Sequence, residues 1–214
     1  NSKMEETLNV LSSKKIIENE TEVIKSRRIL KQVVLTLHLY APISTKAKWR
    51  DVSAYITSPV KIEVENPDLL VEVPRVNFTY DYKHQQVHFN DTVVNLGSWV
   101  STRWGNIKFT AANLSAVKNA SLYFSLYLPK RVTEGLIHSV DVSPSGKLSS
   151  VVDLSLKDEV PQRADDILNT LIMVYEKAGI NDKNLLAQNT LAFLDDRLKI
   201  VSVGLDSIEK KLQL

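Results

Sequence analysis

The 214-residue chain has no cysteine, only six glycines and no apolar run close to the roughly 20 residues that span a bilayer. The absence of cysteine excludes disulfide bonds, thiolate metal ligands and thiol nucleophiles. The glycines do not form the G-x-x-x-x-G-K-[ST] loop that holds nucleotide phosphates. Because the formal net charge is only +2, the sequence gives no reason to expect nucleic acid as a partner.

Apolar and charged residues are abundant, at 43% and 24% of the chain. This balance is typical of a folded globular protein and argues against disorder. A chain of this length can bury a sizeable core. It fits one domain of ordinary size, or one domain that carries an insertion.

Two periodicities divide the first three quarters of the chain. Apolar residues at helical spacing between Thr21, a candidate N-cap, and about Leu39 predict a helix, whereas residues 1–18 are interpreted as a loop or connecting strand. From residue 60 to residue 157, apolar and polar residues alternate in several short segments. These segments predict about seven strands in a largely antiparallel region.

The last quarter of the chain is predicted to be helical. Pro161 suits the first turn of a helix, Gly179 is interpreted as its C-cap, and Asn181 or Asp182 begins a second helix. Apolar residues in this second helix recur at alternating spacings of four and three, which indicates a coiled-coil seam. The seam consists of Ala187, Leu191, Leu194, Leu198, Val201, Leu205, Ile208 and Leu212.

Such a seam needs a partner, because exposing it would forfeit on the order of 10 kcal/mol of apolar burial. Packing against the chain's own sheet is the interpretation for residues 182–195, where Leu185, Leu186 and Phe193 widen the apolar face. Beyond Arg197 the seam narrows, which favours packing between helices. Because the pattern is still in phase at residue 214, we expect the chain to be part of a longer protein.

Three stretches together carry a family resemblance. Residues 23–30 place Ser26 and Arg27 between an apolar pair and further aliphatic residues; residues 154–156 are followed by Pro161 and a helix; residues 175–194 lead into the heptads. In this order they resemble the chain-length-determinant family, the polysaccharide co-polymerases. The resemblance covers residues 19–65 and 147–214. Residues 66–146 match less well and are most like the periplasmic portion of the subgroup fused to a tyrosine autokinase.

The resemblance and the periodicity together imply an α+β fold. We expect a mixed β-sheet flanked by helices in a base domain of residues 1–65 and 147–214. Residues 66–146 form a β-rich insertion, and the C-terminal helix starts a protruding coiled-coil arm. Ser26 and Arg27 are expected to fix the first helix, with Arg27 or Arg28 paired to a carboxylate of the final helices. The seam from Leu194 to Leu212 is expected to join neighbouring helices.

The resemblance also implies a location and partners. The parent protein would cross the bacterial inner membrane through two helices that flank this segment, which would lie in the periplasm. It would assemble into a homo-oligomeric ring and act with a polysaccharide polymerase and an outer-membrane export channel. Its role would be to regulate the chain length and export of capsular or exopolysaccharide. A tyrosine kinase domain would lie beyond the second transmembrane helix.

No catalytic, cofactor or metal site is predicted in this segment, so it is not expected to be an enzyme. Asp165 and Asp166 are adjacent on a helix, where neighbouring side chains diverge by about 100° and do not form an acid–base pair. His84 and His88 lie in strand-like sequence about 13 Å apart, with no further ligand nearby.

A carbohydrate-binding module is the alternative function. Trp99 and Trp104 flank Arg103 just before Gly105, a pattern that indicates a hairpin at which these side chains could contact a glycan. The competing interpretation is that the tryptophan rings pack in the core of a β-sandwich.

Overall fold

A computed structural model describes residues 15–46, 50–112, 121–146, 149 and 151–212, with side chains up to residue 202. The chain divides into two units, Asn1–Val174 and Tyr175–Leu214. The described helices are α1 (15–24), α2 (Arg27–Thr36), α3 (Pro129–Ser139) and α4 (Pro161–Leu212), with a 3-10 turn at Pro67–Leu69.

The described strands form sheets of six, three and two strands, in the orders β2-β1-β9-β4-β5-β6, β3-β8-β7 and β10-β11. The pairings between them are antiparallel, so the expected mixed sheet is wrong for this part of the chain. Short turns join β4 to β5, β5 to β6 and β7 to β8, and only antiparallel neighbours can be joined in this way. The strands are β1 (Ile43–Lys46), β2 (Asp51–Ser53), β3 (Val60–Val64), β4 (Val73–Asp81), β5 (Gln86–Phe89), β6 (Thr92–Asn95), β7 (Trp99–Thr102), β8 (Gly105–Ala111), β9 (Leu122–Leu126), β10 (Val140–Pro144) and β11 (Val152–Leu156).

Aromatic side chains from the six-stranded and three-stranded sheets meet in the core of the first unit. The ring centres of Phe78 and Phe109 are 6.0 Å apart, and those of Phe89 and Phe109 are 5.6 Å apart. Phe124 in β9 is fully buried and lies 6.0 Å from the ring of Trp104. Contacts of this kind add to the burial of apolar area. The two sheets therefore pack face to face around one aromatic cluster.

The N-terminal helix is interrupted, contrary to the single helix expected from residue 21 to residue 39. Ser26 has extended backbone angles (φ −61°, ψ 145°), and its Oγ accepts a hydrogen bond from the Ile29 backbone N–H at 3.4 Å. Thr21 is not a cap but lies inside α1, where its hydroxyl donates to the Ile17 carbonyl at 2.9 Å. Residues 15–18 belong to this helix rather than to a loop. The preceding residues, 1–14, lie outside the described part.

Helix α3 was not predicted, because it lies within the stretch interpreted as strands. Pro129 occupies its first turn, where a missing N–H has no cost. The Thr133 hydroxyl is fully buried and donates to the Pro129 carbonyl at 2.7 Å. Leu136 is also buried, and α3 packs on α2. The stretch from residue 60 to 157 holds nine described strands instead of about seven, and the short strands β1 and β2 precede it.

The two segments proposed as base domain and insertion share sheets. Strand β1, from the first segment, pairs with β9 of the proposed insertion, with Ile43 opposite Phe124. Strand β3 pairs with β8 in the same way, with Ile62 opposite Phe109. The boundaries at residues 66 and 146 therefore remain a prediction drawn from the sequence, while in space the two segments build common layers.

Helix α4 is continuous from Pro161 to Leu212. Pro161 begins it as predicted. The expected C-cap at Gly179 and the expected new helix start at Asn181 or Asp182 are wrong. Among the described glycines, the left-handed backbone occurs at Gly97 and Gly105 and not at Gly179. Glycine in a helix interior costs up to about 1 kcal/mol but does not by itself end the helix.

No helix among the described residues combines the length and the apolar character needed to cross a bilayer.

Candidate assembly surface

The predicted seam lies on the part of α4 that belongs to the second unit. Leu194 and Leu198 are 49% and 67% exposed, and Leu191 and Val201 are exposed as well. Leu205, Ile208 and Leu212 continue the helix, but their side chains lie outside the described residues. An exposed row of large aliphatic side chains at heptad spacing is a surface suited to another helix.

A second apolar row accompanies the seam. Leu186, Phe193 and Ile200 follow one another at intervals of seven residues, and all three are exposed. At 3.6 residues per turn, this row lies about 100° around the helix from the seam positions Ala187, Leu194 and Val201. These apolar side chains are exposed, and the expected packing of residues 182–195 on the chain's own sheet stays a prediction. The expected narrowing beyond Arg197 is wrong, because Ile200 extends the second row.

Charged residues border the apolar rows. The Arg197 guanidinium lies 5.2 Å from the centre of the Phe193 ring, and Lys199 Nζ lies 3.9 Å from Asp196 Oδ1. Both the lysine and this aspartate are highly exposed, so their pairing contributes little to stability. An apolar surface bordered by charges is the usual composition of a protein–protein contact.

The serine–arginine pair of the family resemblance lies at the start of α2. Ser26 caps the helix, and Arg27 Nη1 lies 3.0 Å from Glu134 Oε1. Arg27 is thus paired with α3 and not with a carboxylate of α4. Because both side chains are about half exposed, the pair orients the two helices more than it stabilises them. The role assigned to Ser26 and Arg27 by the resemblance stays a prediction.

The predicted glycan contacts lie at the β7–β8 hairpin, but not on one open surface. Trp104 is only 4% exposed and packs in the aromatic core, so its ring cannot stack on a sugar. Trp99 is 45% exposed, and Lys108 Nζ lies 4.5 Å from its ring centre. Arg103 is exposed at the turn, with its guanidinium 5.1 Å from the Trp104 ring. The hairpin thus leaves Trp99 and Arg103 as candidate contacts.

The two histidines considered for a metal site lie in different surroundings. His84 Nδ1 lies 2.6 Å from Asp81 Oδ2 in the β4–β5 turn. This hydrogen bond, together with one from the Lys83 backbone N–H, lowers the pKa of Asp81 to about 2. His88 is exposed on β5. Across the described part of the chain, no three His, Cys, Asp or Glu side chains converge on a point that could hold a metal ion.

A polar cluster in the first unit joins residues that are far apart in the sequence. Arg163 Nε and Nη2 donate to the two Asp158 oxygens at 2.8 and 2.7 Å, and Arg163 Nη1 donates to Ser53 Oγ at 3.3 Å. The Tyr55 hydroxyl donates to Asp166 Oδ2 at 2.8 Å. Burial and this hydrogen bond raise the pKa of Tyr55 well above the ordinary value for tyrosine. The cluster spans residues more than 100 apart, so local patterns could not reveal it.

The fold belongs to the α+β class, with antiparallel sheets and a long C-terminal helix. No family model matches the chain. The chain is similar to the tyrosine-protein kinase ptk of Acinetobacter johnsonii, with 20% identity over 226 residues that cover 94% of this chain. It spans 31% of the length of that protein. The similarity supports a distant relation to this kinase.

Proposed function

We propose that this chain is the periplasmic segment of an inner-membrane polysaccharide co-polymerase, in a parent protein that is a tyrosine autokinase. The segment would regulate the chain length and export of capsular or exopolysaccharide. The exposed apolar surface of α4 is the observation that carries this proposal. The distant similarity to a tyrosine-protein kinase over 94% of the chain supports the parent assignment.

The apolar surface would act by joining copies of the chain. A helix with two apolar rows about 100° apart can contact one neighbour on each side, which is the requirement for a ring. Such a ring would hold the growing polysaccharide next to the polymerase and the outer-membrane export channel. Membrane helices on both sides of the segment would transmit its state to the cytoplasm. In this proposal the segment carries no chemistry, and the kinase reaction takes place elsewhere in the parent.

Polysaccharide length in the source bacterium tests the proposal. The gene is deleted and restored as wild type, as Leu194→Asp/Leu198→Asp, or as Ala192→Asp on the opposite side of α4. We expect wild type and Ala192→Asp to restore the polymer length distribution on gels. The double variant should leave the distribution broad and shifted, because charges on the seam prevent assembly. If the double variant is expressed at the normal level and restores the wild-type polymer length distribution, the proposal is contradicted.

The sequences on either side of this segment in the complete gene give a faster check of the membrane part of the proposal. Apolar spans of about 20 residues on both sides of the segment in the complete gene are expected from a double membrane anchor. Hydrophilic flanks would remove the membrane part of the proposal.

The carbohydrate-binding alternative rests on the exposed ring of Trp99. Calorimetric titration with capsular oligosaccharide separates the two functions. A carbohydrate module should bind the oligosaccharide and lose about tenfold or more in affinity in Trp99→Ala, because ring stacking is lost. An assembly segment should show no difference between Trp99→Ala and wild type. Trp104 is a poor test residue, since its replacement disturbs the core.

A further inference from the structure

A cleft of about 340 Å³ lies in the first unit, between the end of α2, strands β2 and β3, helix α3 and the start of α4. This volume is at the lower end of the roughly 300–1,000 Å³ typical of small-molecule sites. Its walls are mostly apolar, with Leu39, Ile43, Leu136 and Ile167 among the lining residues. An apolar cleft with a few converging polar groups is the usual form of a ligand site.

The polar wall of the cleft is held rigidly. Asp158 and Ser53 fix the guanidinium of Arg163, as described above, and all three line the cleft. Tyr55 also lines it and is held by its hydrogen bond to Asp166. A site whose polar groups are fixed before binding loses less entropy when a ligand arrives.

The cleft carries an excess of positive charge. Three of its lining side chains are cationic, namely Lys61, Lys157 and Arg163, whereas Asp158 is the lining carboxylate. Arg163 is neutralised by that carboxylate. Among the described residues, neither Lys61 nor Lys157 has a carboxylate partner within salt-bridge distance, and Lys61 Nζ lies 5.9 Å from the Tyr55 ring centre. Two lysines are thus available to an anion at the cleft.

His38 adds a neutral polar group to the same cleft. Its backbone is left-handed, with φ 52°, a conformation uncommon for residues other than glycine and often found at functional sites. The side chain is half-buried, and burial lowers the pKa of His38 below its ordinary value. The ring is therefore neutral near pH 7 and offers both a hydrogen-bond donor and an acceptor.

We propose that this cleft binds a small anionic amphiphile, whose apolar body lies between α2 and α3 and whose anionic group is held by Lys61 and Lys157. The apolar walls, the two cleft lysines and the fixed polar wall each point to one part of such a molecule. A purely apolar ligand would leave the lysines unused, and a small hydrophilic anion would leave the apolar walls unfilled. The proposal is independent of the co-polymerase assignment.

Calorimetric titration of the chain with three ten-carbon probes, each below its micelle concentration, tests this proposal. We expect decyl phosphate to bind at one site per chain and decanol and decyltrimethylammonium to bind at least about tenfold more weakly. Lys61→Ala/Lys157→Ala should weaken decyl phosphate about fivefold or more without changing decanol. Lys83→Ala removes an exposed lysine outside the cleft and should change nothing. Lys61→Glu/Lys157→Glu should reverse the preference, so that the cationic probe binds best.

Methyl NMR then locates the probe. The Ala54 and Leu136 resonances should shift during the decyl phosphate titration, while that of Val94 in β6 should not. Equal binding of decanol and decyl phosphate would overturn the anionic part of the proposal. Absence of binding to the folded chain, or shifts away from the cleft, would overturn the site itself. Lysine-dependent co-sedimentation with phosphatidylglycerol vesicles would identify a membrane lipid instead of a free amphiphile and would overturn the proposal in this form.

Discussion

Asp158 and Arg163 form the least exposed ion pair among the described residues, with 11% and 24% of their side chains accessible. The pair links the end of β11 to the start of α4. Asp158 Oδ1 also accepts a hydrogen bond from the Val160 backbone N–H at 2.8 Å. Burial opposes ionisation of Asp158, but these hydrogen bonds outweigh it and hold the pKa of the carboxyl below its ordinary value. The carboxylate thus stabilises the junction in its charged form.

Asp158→Asn is expected to lower the free energy of unfolding at pH 7 by about 2 kcal/mol, because Arg163 keeps its charge in a half-buried place without a counter-ion. Since the folded pKa of Asp158 is depressed, its contribution is complete above the ordinary carboxyl value of about 3.9 and is lost as the pH falls further. Urea unfolding of wild type and variant should therefore differ at pH 7 and converge at acid pH. Asp153→Asn, at an exposed site on β11, serves as control. An equal loss at every pH would contradict the ionic explanation.

The Asp81 carboxyl gives a direct spectroscopic prediction. Its ¹³C chemical shift should titrate with a midpoint of about 2, because the His84 ring and the Lys83 backbone N–H donate to it. In His84→Ala the midpoint should rise toward the ordinary aspartate value. The stabilisation from these hydrogen bonds is present above that ordinary value and disappears as the pH falls toward 2. An unchanged midpoint in the variant would show that His84 does not hold the carboxylate.

Individual side-chain environments were only partly predictable from the sequence. The hairpin that carries Trp99, Arg103 and Trp104 could be recognised from local turn residues. The sequence does not show which of the two tryptophan rings is buried. The burial of Trp104 depends on Phe124 in β9 and Phe89 in β5, which contact it from a different sheet. The cluster around Arg163 was hidden for the same reason.

At the scale of elements, alternation of apolar and polar residues predicted strands reliably. Single glycine residues did not reliably predict where a helix ends. The alternating segments at β3, β4, β5, β8, β9 and β11 are strands in the structure. Helix α3 was missed because its short amphipathic pattern lies between two strands. Gly179 was interpreted as a helix end, yet the glycine residue adopts ordinary helical geometry within α4. Local sequence alone does not tell a tolerated glycine from a capping one.

Gly179→Ala tests the continuity of α4. A Cβ built at this glycine meets no atom within 4 Å, so alanine should stabilise the helix by up to about 1 kcal/mol. Hydrogen exchange of the neighbouring amides should slow by up to about fivefold. Gly97→Ala is the matched control, because the left-handed φ of 79° there makes alanine unfavourable. Destabilisation by both substitutions would restore the interpretation of Gly179 as a C-cap.

At the scale of the whole molecule, the second unit is a single helix with an exposed apolar surface. The described side chains from residue 179 to residue 202 are all exposed. Helices in proteins obtain most of their stability from packing of an apolar face, and isolated ones are marginal in water. The spacing of the apolar residues predicts the seam, and Leu186 and Phe193 widen the apolar face in the sequence as well. The continuation of the second row to Ile200 was not predicted, although the seven-residue interval is visible in the sequence. Two exposed rows require more than one neighbour.

Self-association of the purified chain should depend on both leucines at the centre of the seam. Burying a leucine side chain completely is worth roughly 1.5–3 kcal/mol, so an aspartate in its place should weaken association at least about tenfold. Sedimentation equilibrium should show concentration-dependent oligomers for wild type and for Ala192→Asp. Leu194→Asp and Leu198→Asp should remain monomeric at the same concentrations, with unchanged helix content by circular dichroism. Phe193→Asp, in the second row, should weaken association as well, because each contact in a ring joins the seam of one helix to the second row of its neighbour. Full-sized oligomers in all three variants would show that α4 is not the assembly surface.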